Sequence, residues 1–181
     1  MHAIPALAAD FQDYAVRWPG EADVVALFQE LLTDTENPFV RERLAGHFTA
    51  SCWLVSADGA RVLLTHHRKL GLWLQLGGHA DGQCELHLAA LREAQEESGL
   101  QGLTVVNQIF DLDRHRIPEH KGVPEHWHYD VRYVVHVGED EAYTVSEESL
   151  DLAWRTIDEL AQNAATDPSV RRKAGKWLAR G

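Results

Sequence analysis

Cysteine is scarce: the 181 residues include two, Cys52 and Cys84. They lie in different segments with no C-x-x-C spacing, which excludes a zinc ribbon, a dithiol redox motif and a disulfide scaffold, and fits a reducing cytoplasm. Basic residues are also short, 17 against 28 acidic, for a net charge of −11. That balance opposes the counterion release that drives binding to a nucleic-acid backbone, so no such partner is expected. No apolar run approaches the roughly 20 residues that span a bilayer, and Met1 to Asp10 lacks the basic-then-apolar pattern of an export leader. A cytoplasmic chain without a membrane segment is the expectation. Hydrophobic content of 45% and charged content of 25% exclude a disordered chain. An acidic pocket holding metal ions would still accept a small phosphate ligand.

What is present divides into recognisable elements. Val24, Leu27, Phe28, Leu31 and Leu32 recur at helical spacing over Glu21 to Leu32, ahead of a loop through Asn37 and Pro38. His47 to Ser56 is rich in strand formers, and with Arg61 to Thr65 across Ala57-Asp58-Gly59 it reads as a hairpin. Leu72 to Leu76 is a short apolar segment before glycines. Glu85 to Glu97 carries strong helix formers, with Gly99 where a C-cap belongs. Leu103 to Phe110 and His126 to Val137 read as strands around a loop from Asp111 to Glu125. Leu152 to Thr156 reads as a last strand, Ile157 to Gln162 follows it, and Ser169 to Ala179 reads as a basic helix. Strands and helices mixed in this order predict an α+β layered domain. The expected units are residues 1–45 as an N-terminal helical extension, 46–162 as the main domain and 163–181 as a C-terminal helix packed on it.

The chemistry concentrates in Gly78 to Leu100, GHADGQCELHLAALREAQEESGL. At about 100° per residue, Glu93, Glu96 and Glu97 share one helix face with Ala89 and Ala90 on the same side. Three carboxylates held together repel unless a cation joins them, and hard oxygen ligands select Mg²⁺ or Mn²⁺. Gly77-Gly78 lets the backbone come close, with a carbonyl to offer the same ion.

These residues resemble the Nudix hydrolase box: Gly78, Arg92, Glu93, Ala94, Glu96, Glu97, Gly99 and Leu100 match its pattern in register. Cys84 stands where the box has its first glutamate, and Glu85 follows one residue later. The resemblance extends more loosely over about Phe48 to Leu160. It implies the Nudix fold, an α/β/α sandwich around a mixed β-sheet, and hydrolysis of a small-molecule diphosphate joined to another group X. It also implies Glu93, Glu96 and Glu97 as metal ligands or bases, Gly78 as a further metal contact, and Arg92 as the residue that orients the carboxylates. Glu148, or Glu147 beside it, is an alternative general base on a later loop. The homodimer is an open alternative to the monomer.

The second feature is His126 to His136. Alternation puts Trp127, Tyr129, Val131, Tyr133 and Val135 on one side and His126, His128, Asp130, Arg132 and His136 on the other. The polar side is either solvent-facing or the lining of a cleft. In the second case His126 and His128 reach phosphate, base or metal, His79 of the box turn touches ligand beside them, and Arg132 reaches phosphate oxygens or pairs with Asp130. The paired His66 and His67 are expected to be loop or packing residues. Two rival readings stand beside hydrolysis. An isopentenyl-diphosphate isomerase-like enzyme is suggested by the many histidines, and a non-catalytic nucleotide-binding module of the same fold would bind without turnover.

Overall fold

The computed structural model describes residues 3–67, 71–120, 122–145 and 149–180. The elements are α1 (Ala3–Arg17), a 3₁₀ turn (Pro19–Glu21), α2 (Ala22–Leu32), β1 (Gly46–Val55), β2 (Arg61–His67), β3 (Trp73–Leu74), β4 (Gly77–His79), α3 (Leu86–Ser98), β5 (Thr104–Ile117), β6 (His126–His136), β7 (Ser149–Thr156), α4 (Ile157–Gln162) and α5 (Pro168–Leu178). The strands form one mixed sheet in the order β3-β2-β1-β6-β5, with β4 also paired to β1 and β7 to β2.

The central pair is parallel. β1 runs beside β6 over its whole length, from Gly46 opposite Trp127 to Val55 opposite His136. Its other edge is shared: Thr49, Ala50 and Ser51 pair with His79, Gly78 and Gly77 of β4, and Val55 pairs with Val62 of β2. The box glycines are therefore strand residues on the central strand, where the sequence suggests only a turn.

Every residue of β1 is buried because both faces of the sheet are covered. Helices α1, α2 and α3 cover one face, around Phe11, Phe28, Phe48, Ala90 and Tyr133. Trp53, Val62, Phe110 and Val134 on the opposite face meet Ile157 of α4 and Val170, Ala174 and Trp177 of α5. This is the α/β/α sandwich in an α+β chain.

Helix α1 lies outside the segment that the sequence marks as helical. Leu7, Phe11 and Tyr14 are buried at helical spacing, and the Phe11 ring meets that of Phe28 edge-on at 5.7 Å. Burial of two or three such side chains, at about 1.5–3 kcal/mol each, is what holds a 15-residue helix that would be marginal alone. At the other end of the chain, the Asp167 carboxylate caps α5, accepting the N–H groups of Ser169 at 2.9 Å and Val170 at 3.3 Å. No helix among the described residues is long and apolar enough to cross a membrane.

Candidate active site

Helix α3 is set against the sheet by its small residues. Ala89, Ala90 and Ala94 are fully buried, which lets the helix approach β4 closely. Gly99 ends the helix in the left-handed region at φ 70°, its N–H donating to the Gln95 carbonyl. Two of the three glutamates then reach the glycines of β4. Glu97 Oε1 accepts the N–H of Gly77 at 2.7 Å. The Glu93 carboxylate lies against Gly78, in the space a Cβ there would take. Arg92 binds both partners through one nitrogen, donating to Glu93 Oε1 and to the His79 carbonyl, each at 2.8 Å. Burial pushes the Glu93 carboxyl above the ordinary range, and Arg92 pulls against that shift. Glu96 is exposed and Cys84 half-buried, so the shared face splits, with Glu93 and Glu97 turned to the sheet and Glu96 to solvent. Glu148 lies outside the described residues.

The polar side of β6 is neither a solvent face nor a uniform cleft wall. Arg132 was a candidate phosphate contact; it is 2% exposed and fully engaged by carboxylates. Its Nε donates to Asp130 Oδ2 at 2.7 Å and its Nη1 to Asp111 Oδ2 at 2.9 Å. Ser51 and Thr49 of β1 donate to the same Asp130 at 2.7 and 3.0 Å. From α5, Arg172 and Lys176 reach Asp111 at 2.8 and 2.7 Å. Burial pushes the Asp111 carboxyl up, but Arg172, Arg132 and Lys176 outweigh it and hold it at about 2. Arg132 is thus a structural centre that fastens α5 to the sheet. Asp111, expected in a loop, belongs to β5, whose residues Asp111 to Ile117 pair one by one with Arg132 to His126.

The histidines gather at the other end of the same face. His47 lies opposite His128 in the β1–β6 register, and the rings of His47, His79, His126 and His128 pack with centroids 4.9–5.2 Å apart. Burial first, then the neighbouring imidazoles, pushes His128 down to about 2. Burial and Arg41 push His79 down to about 4. His136 is exposed at the far end of β6, and His66 stacks on Trp73 at 5.1 Å.

The sequence matches the family profile described as NUDIX domain over residues 46–178. The chain belongs to the Nudix family. It is a hydrolase of phosphoric anhydride bonds by class. Among solved structures, a hydrolase of the NUDIX family from Clostridium perfringens is 25% identical with a TM-score of 0.57, over 73% of this chain and 95% of that one. The E. coli dihydroneopterin triphosphate pyrophosphohydrolase is 18% identical with a TM-score of 0.58, over 74% of this chain and 96% of that one. A C. elegans Ap4A hydrolase is 18% identical with a TM-score of 0.57, over 73% and 95%. The last two likenesses show the fold alone. No curated protein matches the sequence.

Within the Nudix box, then, Gly78, Arg92, Glu93 and Glu97 form one interlocked unit, while Glu96 stands at its solvent edge. The residue that motif reading passes over is His47. Its signal is in β1, where His47, Thr49 and Ser51 alternate with apolar residues and face the same way as His128, Asp130 and Arg132.

Proposed function

We propose that this Nudix hydrolase cleaves the diphosphate of a nucleoside diphosphate joined to another group X, with Mg²⁺ or Mn²⁺ held by Glu93, Glu96, Glu97 and the Gly78 carbonyl. The observation that supports it most is the fit between α3 and β4: Glu93 occupies the space left by the missing side chain of Gly78, and Glu97 accepts the Gly77 N–H. The donor set is all oxygen, which suits these hard cations and not a thiophilic one. When bound, such an ion neutralises diphosphate oxygens and lowers the pKa of water.

The chain's own groups supply the rest. Arg92 fixes the orientation of Glu93 by bonding its carboxylate and the His79 carbonyl together. A box carboxylate, Glu93 or Glu97, takes the proton of the attacking water; Glu148 is the alternative acceptor on the later loop. His79, His126 and His128 contact the substrate from the neighbouring imidazole cluster. Arg132 has no part in substrate contact, because its charge is already neutralised in the core.

The deciding experiment is turnover of nucleoside diphosphate derivatives, dinucleoside polyphosphates and nucleoside triphosphates with Mg²⁺ and with Mn²⁺. Metal-dependent release of a nucleoside monophosphate or of phosphate from one of these is the expected result. Full activity after exhaustive chelation, or binding without turnover at saturating metal, would overturn it.

A further inference from the structure

His47 is 2% exposed and its Nδ1 lies 3.2 Å from the Arg43 carbonyl oxygen. A carbonyl can only accept, so Nδ1 carries the proton and Nε2 is a bare lone pair. That Nε2 is buried without a hydrogen-bond partner. His126 repeats the arrangement: its Nδ1 is 2.8 Å from the Pro124 carbonyl oxygen, and its Nε2 is 3.2 Å from the Nε2 of His128. Two backbone carbonyls therefore set two tautomers with acceptor Nε2 atoms: that of His126 takes the His128 Nε2–H, and that of His47 is left without a donor. One nitrogen from each of His47, His126 and His128 lies within 4.8 Å of the other two, the only such trio among the described residues.

A purely structural cluster would not be built this way. A buried lone pair without a donor costs about 1–3 kcal/mol, and hydroxyl-bearing residues such as Thr49 and Ser51, which satisfy Asp130 close by, would remove that cost. A cation satisfies the His47 lone pair and, with His128 in its other tautomer, takes the place of the His126–His128 hydrogen bond. We propose that His47, His126 and His128 form a transition-metal site of the zinc type, separate from the carboxylate site of the box. Three imidazole nitrogens are a poor donor set for Mg²⁺ and a good one for Zn²⁺. The carbonyl partners on His47 and His126 are the outer contacts that orient ligating histidines. Zinc–nitrogen bonds of about 2.0–2.1 Å place tetrahedral ligands about 3.3 Å apart, so the rings close inward slightly on binding. Three protein ligands leave a fourth position for water or an anionic oxygen, as in sites that take part in chemistry rather than closed structural ones.

His79 connects this site to the box. Its ring lies 5.2 Å from those of both His47 and His128, and its carbonyl is held by Arg92. The open position thus serves a phosphate oxygen of the same substrate, so that His126 and His128 act on the substrate through the ion. That role rests on the hydrolase reading, whereas the metal site itself does not.

The test uses the full chain freed of metal, titrated with Zn²⁺ by calorimetry in saturating Mg²⁺ and with Co²⁺ by visible absorption. One equivalent of Zn²⁺ should bind despite the Mg²⁺, and Co²⁺ should show the bands of a four- or five-coordinate nitrogen site. His126→Ala and His128→Ala should each weaken Zn²⁺ binding by at least about tenfold, with the fold checked by circular dichroism. His126 is half-buried, so its variant is the safer of the two. The double variant Glu93→Gln, Glu97→Gln should lose Mg²⁺-dependent turnover and keep its Zn²⁺ affinity. Absence of stoichiometric Zn²⁺ binding, wild-type affinity in both histidine variants, or loss of affinity in the glutamate variant would each overturn the site. Loss of turnover alone bears on the hydrolase reading and leaves the site standing.

Discussion

A Cβ on Gly78 would stand 2.7 Å from the carboxyl carbon of Glu93, so these two residues, on a strand and a helix, share one space. The obstacle to any side chain there is a flexible carboxylate and not backbone. Gly78→Ala is therefore expected to leave the thermal midpoint within a few degrees while displacing Glu93, lowering turnover by about 10- to 100-fold. Steady-state kinetics beside a melting curve check it; an equal loss in stability and activity would contradict the shared-space account.

Glu97→Gln keeps an oxygen that can accept the Gly77 N–H and removes only the charge. Turnover should fall by at least about 100-fold, a barrier increase of roughly 3 kcal/mol, with little change in melting. Unchanged turnover would make Glu97 a structural tie and no more.

Asp111 gives the acid limb of stability. Its folded pKa of about 2 lies below the unfolded value of 3.8, so its contribution is complete above about pH 4 and disappears as pH falls through 2. The difference corresponds to about 2 kcal/mol. Wild type and Asp111→Asn should thus differ most in thermal midpoint between pH 5 and 7 and converge toward pH 2. A constant difference over that range would show that the ion network does not hold the carboxylate.

The box and its helix are legible in the sequence because they follow from local spacing, glycines, small residues and glutamates at fixed offsets, and the three layers are implied only by the family resemblance those residues carry. The role of Arg132 is not, because alternation along β6 says which residues share a face and not what covers it. The cover is α5, a basic helix in the sequence, whose Arg172 and Lys176 have no visible partner there until they meet Asp111 across the chain. Asp111 to Ile117 is hidden for a related reason. Its Asp, Arg and His residues are weak strand formers, and only pairing with β6 makes them a strand. His47 acquires meaning only through its position opposite His128.

Cys84 is half-buried, and its thiol lies 3.8 Å from the Gly82 carbonyl, a weak contact. Cys84→Ser should leave Mg²⁺-dependent turnover within about twofold, since a thiol contributes little to a hard cation. A loss as large as that of Glu97→Gln would make this position part of the metal site.

Because β1 is parallel to β6, its longest partner is synthesised late: Thr49 and Asp130, which bond across the pair, are separated by 81 residues. The strand at the centre of the molecule therefore leaves the ribosome with its longest hydrogen-bonding edge unmatched, and it stays so until most of the chain has followed. Closing so long a loop comes before the contacts that reward it, which places the protein among slow folders whose nascent edges need shielding from other chains.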